Sequence, residues 1–333
     1  MPGGGKEGYV RASLLCAEST VVVSFINGLG DAVLALPALR RLSNAVYGDP
    51  GRLVLWGAHD VLEEVLDCVP AVHCPLRVDR YSDQFFVDPH SDLRSAIKYM
   101  EQIGQTIWVS LNAYFPFWDP DNELRGTIAP IREVGFGLQP ESRRVDEAGR
   151  VLHMRDQYLR VIGESAPSTP PERRLFLEEH TRAGARRELA RLGVVSPYVA
   201  IHSDTEIHKL WDVTSWSALI SALRRDGLDA VAVGQPPSGS LSVPVIRGPW
   251  RRHAAVVADA TAFVGVDSCF AHVADAMQVP GVVLFGPTDP NEWGCSGLTM
   301  KVIIAPEGNL SKLNPSFVYN ELCKTTRKFS RRL

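Results

Sequence analysis

No stretch of this chain stays apolar for the roughly 20 residues that a membrane-spanning helix needs. That excludes a transmembrane reading. The opening residues, MPGGGKEGYVRAS, lack the apolar core of a signal peptide and read as a polar, Gly-rich lead-in. Leu14-Leu15-Cys16 is too short an apolar patch for a lipid anchor. The six cysteines form no C-x-x-C pair. A dispersed set in a chain of 333 residues argues against a disulfide framework and a zinc site, and fits reduced thiols in a cytoplasmic protein. Internal repeats and low-complexity segments are also missing. Charge of one sign is not in large excess, since the net charge is −3. A nucleic-acid partner, which would call for a strongly basic face, is therefore not expected.

Residues 1–160 hold 16 Lys and Arg against 21 Asp and Glu, whereas the remainder hold 19 against 17. The second half is thus the less acidic one, the sign that suits an anionic ligand there. Hydrophobic content of 45% and charged content of 22% are those of a globular protein, and the length suffices for two domains.

Strands and helices alternate along the chain, which predicts an α/β class with parallel sheets. Strands are expected at Val21–Ile26, Leu53–Trp56, Thr106–Leu111 and Glu133–Gly137, with one or two extended pieces in 69–78. Helices are expected at Ala32–Val46, near Val61–Asp67, at Asp92–Ile103 and at Val151–Ile162. Pro37 lies inside the first and predicts a kink or a short first turn. Gly163–Pro171 reads as a linker. Beyond it come helices at Thr181–Leu192, Thr214–Arg225 and Arg252–Ala260, and strands at Tyr198–His202 and Ala230–Val233.

The most informative run is AFVGVDSCFAHVADAMQVPGVVLFGPTDPNEW, residues 262–293. Ala262–Val266 is an apolar strand, Asp267 and Ser268 are helix N-caps, and Gly281–Phe285 is a second strand closed by Gly286 and Pro287. Ligands of open parallel sheets bind beyond the carboxyl ends of the strands. Asp267-Ser268 and Gly286-Pro287-Thr288 stand at two such ends, beside helix N-termini that suit a diphosphate.

Near the other end, FINGLGDAVLALPALRRL places Asp31 after a strand and a glycine turn. The turn reads either as an N-capped helix or as a site where Asp31 is a general base. Gly28-x-Gly30-x-x-Val33 lacks the third glycine of a dinucleotide fingerprint, and Trp56-Gly57-Ala58 lacks its ribose-binding acid. A nicotinamide enzyme is the poorer match.

Taken together, VGVDSCFAHVADAM with LFGPTDPNEW and FINGLGDAVLALPALRRL resemble the signatures of glycosyltransferase family 9, the ADP-heptose heptosyltransferases. The resemblance runs over most of residues 21–305. It implies a GT-B arrangement of two Rossmann-like domains facing a central cleft. These would be an acceptor domain at 1–167, a donor domain at 168–315 and a tail at 316–333 that crosses back as a helix. It implies inverting transfer of a sugar from a nucleotide-diphospho-sugar, an ADP-sugar, with no metal and no other cofactor.

By the same resemblance Asp31 is the catalytic base and Lys209, in IHSDTEIHKLWDVTSW, is the cation for the leaving diphosphate. Lys209 taken alone reads more readily as a solvated lysine. Thr205, Asp267, Ser268, His272, Gly286, Pro287 and Thr288 become the donor-binding set. Asn27 and Gly28, with Tyr114 and Trp118 of the aromatic loop NAYFPFW, become acceptor candidates. Two departures stand out. Asp204 replaces a common hydroxyl residue, and Gly234-Gln235-Pro236-Pro237-Ser238 lacks the glutamate that often binds the donor ribose.

The acceptor expectation departs from the family's usual role. An anionic lipopolysaccharide core would favour a basic acceptor domain. Asp79, Asp83, Asp88, Asp92, Asp119, Asp121 and Glu123 instead point to a soluble, neutral or cationic acceptor such as an amino-sugar secondary metabolite. The remaining alternatives are a lipopolysaccharide core heptosyltransferase and a non-catalytic nucleotide-sugar-binding protein of the same fold.

Overall fold

The computed structural model describes residues 19–25, 27–45, 53–56, 65, 80–81, 84–85, 97–98, 101–102, 104–113, 119–136, 138, 145–146, 148–164, 175, 177–194, 197–234 and 241–330. The chain divides into two compact units, Met1–Pro171 and Glu172–Leu333.

In the first unit, β1 (Thr20–Ser24), α1 (Leu29–Ala45), β2 (Leu53–Trp56), a small antiparallel hairpin of β3 (Arg80–Tyr81) and β4 (Gln84–Phe85), β5 (Thr106–Ser110), α2 (Asp119–Ile128), β6 (Arg132–Gly135) and α3 (Met154–Val161) follow one another. The parallel sheet has the order β2-β1-β5-β6, and Ser24 stands level with Trp56 on one side and Ser110 on the other. β1, β2 and β5 are buried along their whole length. Strands covered on both faces read as unbroken apolar runs, which is why VVV and LVLW were legible. Trp56, Trp108 and Leu124 close one side of this core.

Helix α1 begins at Leu29, three residues before the expected start, so Asp31 lies in its first turn. Pro37 is carried inside one continuous helix rather than splitting it. The side chains of Ala32–Leu36, Ala38, Leu39 and Leu42 are all buried, and α1 packs against α3. Residues 119–128, which carry Asp119, Asp121 and Glu123 and had no expected element, form α2. The helices expected near 61–67 and over 92–103, and the extended pieces in 69–78, lie almost wholly outside the described residues.

The second unit runs α4 (Glu179–Arg191), β7 (Tyr198–His202), a 3-10 turn (Ile207–Lys209), α5 (Val213–Arg225), β8 (Asp229–Ala232), α6 (Trp250–Ala258), β9 (Ala262–Val266), α7 (Cys269–Ala276), β10 (Gly281–Phe285), α8 (Pro290–Trp293), β11 (Met300–Ile304) and α9 (Pro315–Ser330). Its sheet is parallel throughout, ordered β11-β10-β9-β7-β8. α9 packs on α5 and on β9, β10 and β11. Trp211, Trp216, Leu219, Leu223, Val264 and Leu284 fill the core beneath it. Among the described residues no helix is long and apolar enough to cross a membrane.

Each sheet reverses its direction of growth once. In the first unit the chain goes from β1 out to β2 and returns to β5. In the second it goes from β7 out to β8 and returns to β9. Open α/β sheets bind ligands at such switch points, beyond the carboxyl ends of the two strands. The loops concerned follow β1 and β5 in one unit, and β7 and β9 in the other.

Candidate active site

Asp267 follows β9 directly, and its N–H donates to the Leu284 carbonyl at 3.0 Å, which pins it between β9 and β10. Its Oδ2 accepts from the Thr288 hydroxyl at 2.7 Å and from Lys209 Nζ at 3.2 Å. The Thr205 hydroxyl donates to the Asp267 carbonyl at 3.3 Å. Thr205 and Lys209 come from the loop after β7, and Thr288 from the loop after β10. Three of the residues singled out in the sequence thus meet around a fourth, Asp267, two at its carboxylate and one at its backbone carbonyl. Lys209 keeps 18% of its side-chain surface and Asp267 only 7%, so the pair is shielded enough to hold the ammonium in place. Thr288 spends its one hydroxyl proton on Asp267, whereas Lys209 keeps further N–H donors beside the N-terminus of α7, and a cation there suits a diphosphate.

Ser268 caps α7 but makes no side-chain cap bond. Its hydroxyl instead lies 2.9 Å from His202 Nε2, while His202 Nδ1 lies 2.9 Å from the Val233 carbonyl. A carbonyl can only accept, so Nδ1 carries the proton. Complete burial pushes the imidazole pKa down, the Val233 contact opposes this, and the ring is neutral. Nε2 is then an acceptor, and the Ser268 proton goes to it. Ser268 can offer a ligand only lone pairs, so its partner is a hydroxyl or N–H and not a phosphate oxygen.

Behind His202, Gly234 takes φ +78, and a Cβ there would stand 2.7 Å from the imidazole Cε1. Only glycine fits. The Gly234 N–H donates to His253 Nδ1 at 3.1 Å, and His253 Nε2 donates to the Gly248 carbonyl at 3.2 Å. Burial likewise lowers the His253 pKa.

These two histidines predict a pH effect on stability. The unfolded chain protonates them near pH 6.5, whereas the folded chain resists until lower pH. Their contribution is fully present above about pH 6.5 and is lost as pH falls below it, at up to about 1.4 kcal/mol per pH unit for each histidine. Denaturant unfolding at pH 7.5, 6.0 and 5.0 measures it. His253→Gln is expected to flatten the slope, and an unchanged slope would remove His253 from the account.

Gly286 has little spare room, but the close neighbour is the chain's own Gly308 carbonyl, 3.1 Å from where a Cβ would stand. Pro287 leads from it to Thr288. His272 is buried one helical turn beyond Ser268 on α7.

In the first unit Asp31 is 9% exposed and accepts a hydrogen bond at Oδ1 from the Tyr158 hydroxyl, 3.0 Å away. The Tyr158 oxygen accepts from Asn27 Nδ2 at 3.2 Å, and Asn27 Nδ2 also donates to the Leu111 carbonyl at 2.6 Å. Asn27 therefore ties the loop after β1 to the loop after β5, at the switch point. Gly28 accepts the Ala32 N–H at 3.1 Å, closing the first turn of α1. Tyr114 and Trp118 lie outside the described residues. Tyr158 and His202 escaped the sequence reading. His202 had one visible signal, a polar residue closing the apolar strand YVAIH.

The chain has an α/β fold of two parallel-sheet units, each gathering polar groups at its switch point, the class to which GT-B glycosyltransferases belong. Residues 251–320 match the family model Glycosyltransferase family 9 (heptosyltransferase). Lipopolysaccharide heptosyltransferase 1 of Salmonella typhimurium is 28% identical over 91% of this chain and 99% of its own length. Lipopolysaccharide heptosyltransferase 3 of Escherichia coli is 34% identical over 32% of this chain, a match spanning only 36% of that relative. The solved E. coli ADP-heptose lps heptosyltransferase II covers 93% of this chain and 99% of its own, with a TM-score of 0.68 at 16% identity, which supports the fold. The chain is accordingly similar to the family 9 heptosyltransferases, as its two motifs imply, and that likeness supports a glycosyltransferase activity.

Proposed function

We propose that this chain transfers a sugar from a nucleotide-diphospho-sugar, heptose from ADP-heptose, to a hydroxyl group, with inversion and without a metal. The observation that carries this reading is the convergence of Lys209 and Thr288 on Asp267 at the switch point of the second unit. The ADP-heptose named for the solved E. coli relative supports the choice of donor.

In this scheme Asp31 accepts the proton of the acceptor hydroxyl. The oxygen attacks the anomeric carbon as its bond to the diphosphate breaks, from the opposite face. Lys209 stabilises the charge that develops on the leaving diphosphate, the role a metal plays elsewhere, while Thr288 gives its hydroxyl proton to Asp267 and holds that carboxylate in place. Ser268 accepts from a donor hydroxyl. Acceptor binding is assigned to residues 1–167 and donor binding to 168–315, in a cytoplasmic enzyme.

The acceptor is proposed to be soluble and neutral or cationic, on the acidity of residues 1–160. A second reading, transfer to a lipopolysaccharide core, is favoured by the Salmonella relative that this chain matches over nearly its full length. Offering ADP-heptose with amino-sugar acceptors, and separately with a lipid A–core acceptor, separates the two. The expected result is turnover with the amino sugars and a KM that rises with added salt, since screening weakens attraction to a cationic acceptor. Efficient transfer to the anionic lipid alone would establish the second reading.

A further inference from the structure

We propose that Tyr158 is the positioning residue of Asp31, with Asn27 setting the direction of its hydroxyl proton. This rests on Asp31 being the base. The geometry leaves the hydroxyl little choice. The Leu111 carbonyl, 2.6 Å from Asn27, must face the amide nitrogen, which identifies that end of the side chain as Nδ2. An amide nitrogen only donates, so its 3.2 Å contact uses a lone pair of the Tyr158 oxygen. The phenolic proton is left to Asp31 Oδ1 at 3.0 Å.

The ring itself cannot swing away. Tyr158 is fully buried on α3, which packs along α1. Phe25 lies 6.3 Å from its centroid and Phe136 5.8 Å away, edge-on. The fixed phenol thus holds one oxygen of the Asp31 carboxylate in place.

Two consequences follow for a base. A hydrogen bond donated to the charged form lowers its proton affinity and keeps Asp31 ionised. Holding the carboxylate still raises the fraction of encounters in a reactive geometry, where an error of about 1 Å can cost on the order of 10²-fold. The Asn27-Tyr158 pair therefore trades some basicity for placement.

The test is Tyr158→Phe, which keeps the ring and removes only the hydroxyl. The acid limb of the pH profile of kcat/KM is expected to move up by about one unit. The plateau is expected to fall by about tenfold, while ADP affinity is unchanged. A purely structural tyrosine would not move the limb. Asp31→Asn is measured alongside. If it is inactive while Tyr158→Phe keeps both limb and plateau, the positioning role is overturned and the base reading stands. If Asp31→Asn remains within tenfold of wild type, the base reading falls and takes this inference with it. Should Tyr158→Phe not fold, 3-fluorotyrosine placed at position 158 gives a more acidic phenol and a stronger donor. It is expected to move the limb down, and an unmoved limb overturns the proposal.

Discussion

Asp31→Asn is expected to slow transfer by about 10²–10⁴, the usual cost of removing a general base, and to leave ADP affinity near that of the wild type. Asparagine has the same shape as aspartate, and its amide oxygen can still accept the Tyr158 hydroxyl that now meets Oδ1 at 3.0 Å. The packing of α1 against α3 should therefore survive. What disappears is the ability to take a proton. ADP contacts are assigned to the second unit, so calorimetry with ADP should not register the change. Transfer within tenfold of wild type would remove Asp31 as the base and return it to the role of a first-turn helix residue.

The substitution is informative because local sequence leaves Asp31 ambiguous. Asp is a common helix cap, and the turn N-G-L-G-D fits that use as well as catalysis. Its partner Tyr158 stands 127 residues away, on a helix whose pattern says nothing of Asp31. Contacts of that separation are set by sheet order and helix packing, and periodicity does not encode them. The same holds for His202, whose bonds to Ser268 and Val233 depend on β7 lying between β8 and β9.

What was legible follows from burial. Tyr198–His202, Ala262–Val266 and Gly281–Phe285 coincide with their expected bounds, because each is an apolar run covered on both faces. Misses fall where that signal is weak. α2, DPDNELRGTI, holds only Leu124 and Ile128 as large apolar residues, too few for a clear helical stripe. β11, MKVII, is an edge strand with Lys301 and Ile304 exposed. The convergence of Thr205, Lys209 and Thr288 on Asp267 was expected only as membership of one site. Its detail, three loops meeting at one residue, needed the strand order β10-β9-β7.

Lys209→Ala is expected to weaken ADP binding by about tenfold or more, since a charge-assisted hydrogen bond is worth about 1.5–3 kcal/mol. Turnover should fall further, by about 10²–10³, because charge on the leaving diphosphate grows in the transition state. One complication is visible in the structure. Lys209 is paired with Asp267 at 3.2 Å, so the alanine variant also leaves that carboxylate with Thr288 but without its cation. A loss of affinity could then arise from an uncompensated anion repelling the diphosphate rather than from the missing lysine. The double variant with Asp267→Asn separates these causes. If Lys209 meets the diphosphate directly, Lys209→Ala should cost a similar factor in the Asp267→Asn background as in the wild type. If it only neutralises Asp267, the cost should vanish there. Unchanged affinity together with an unchanged rate in the single variant would reduce Lys209 to a solvated lysine with no part in donor binding.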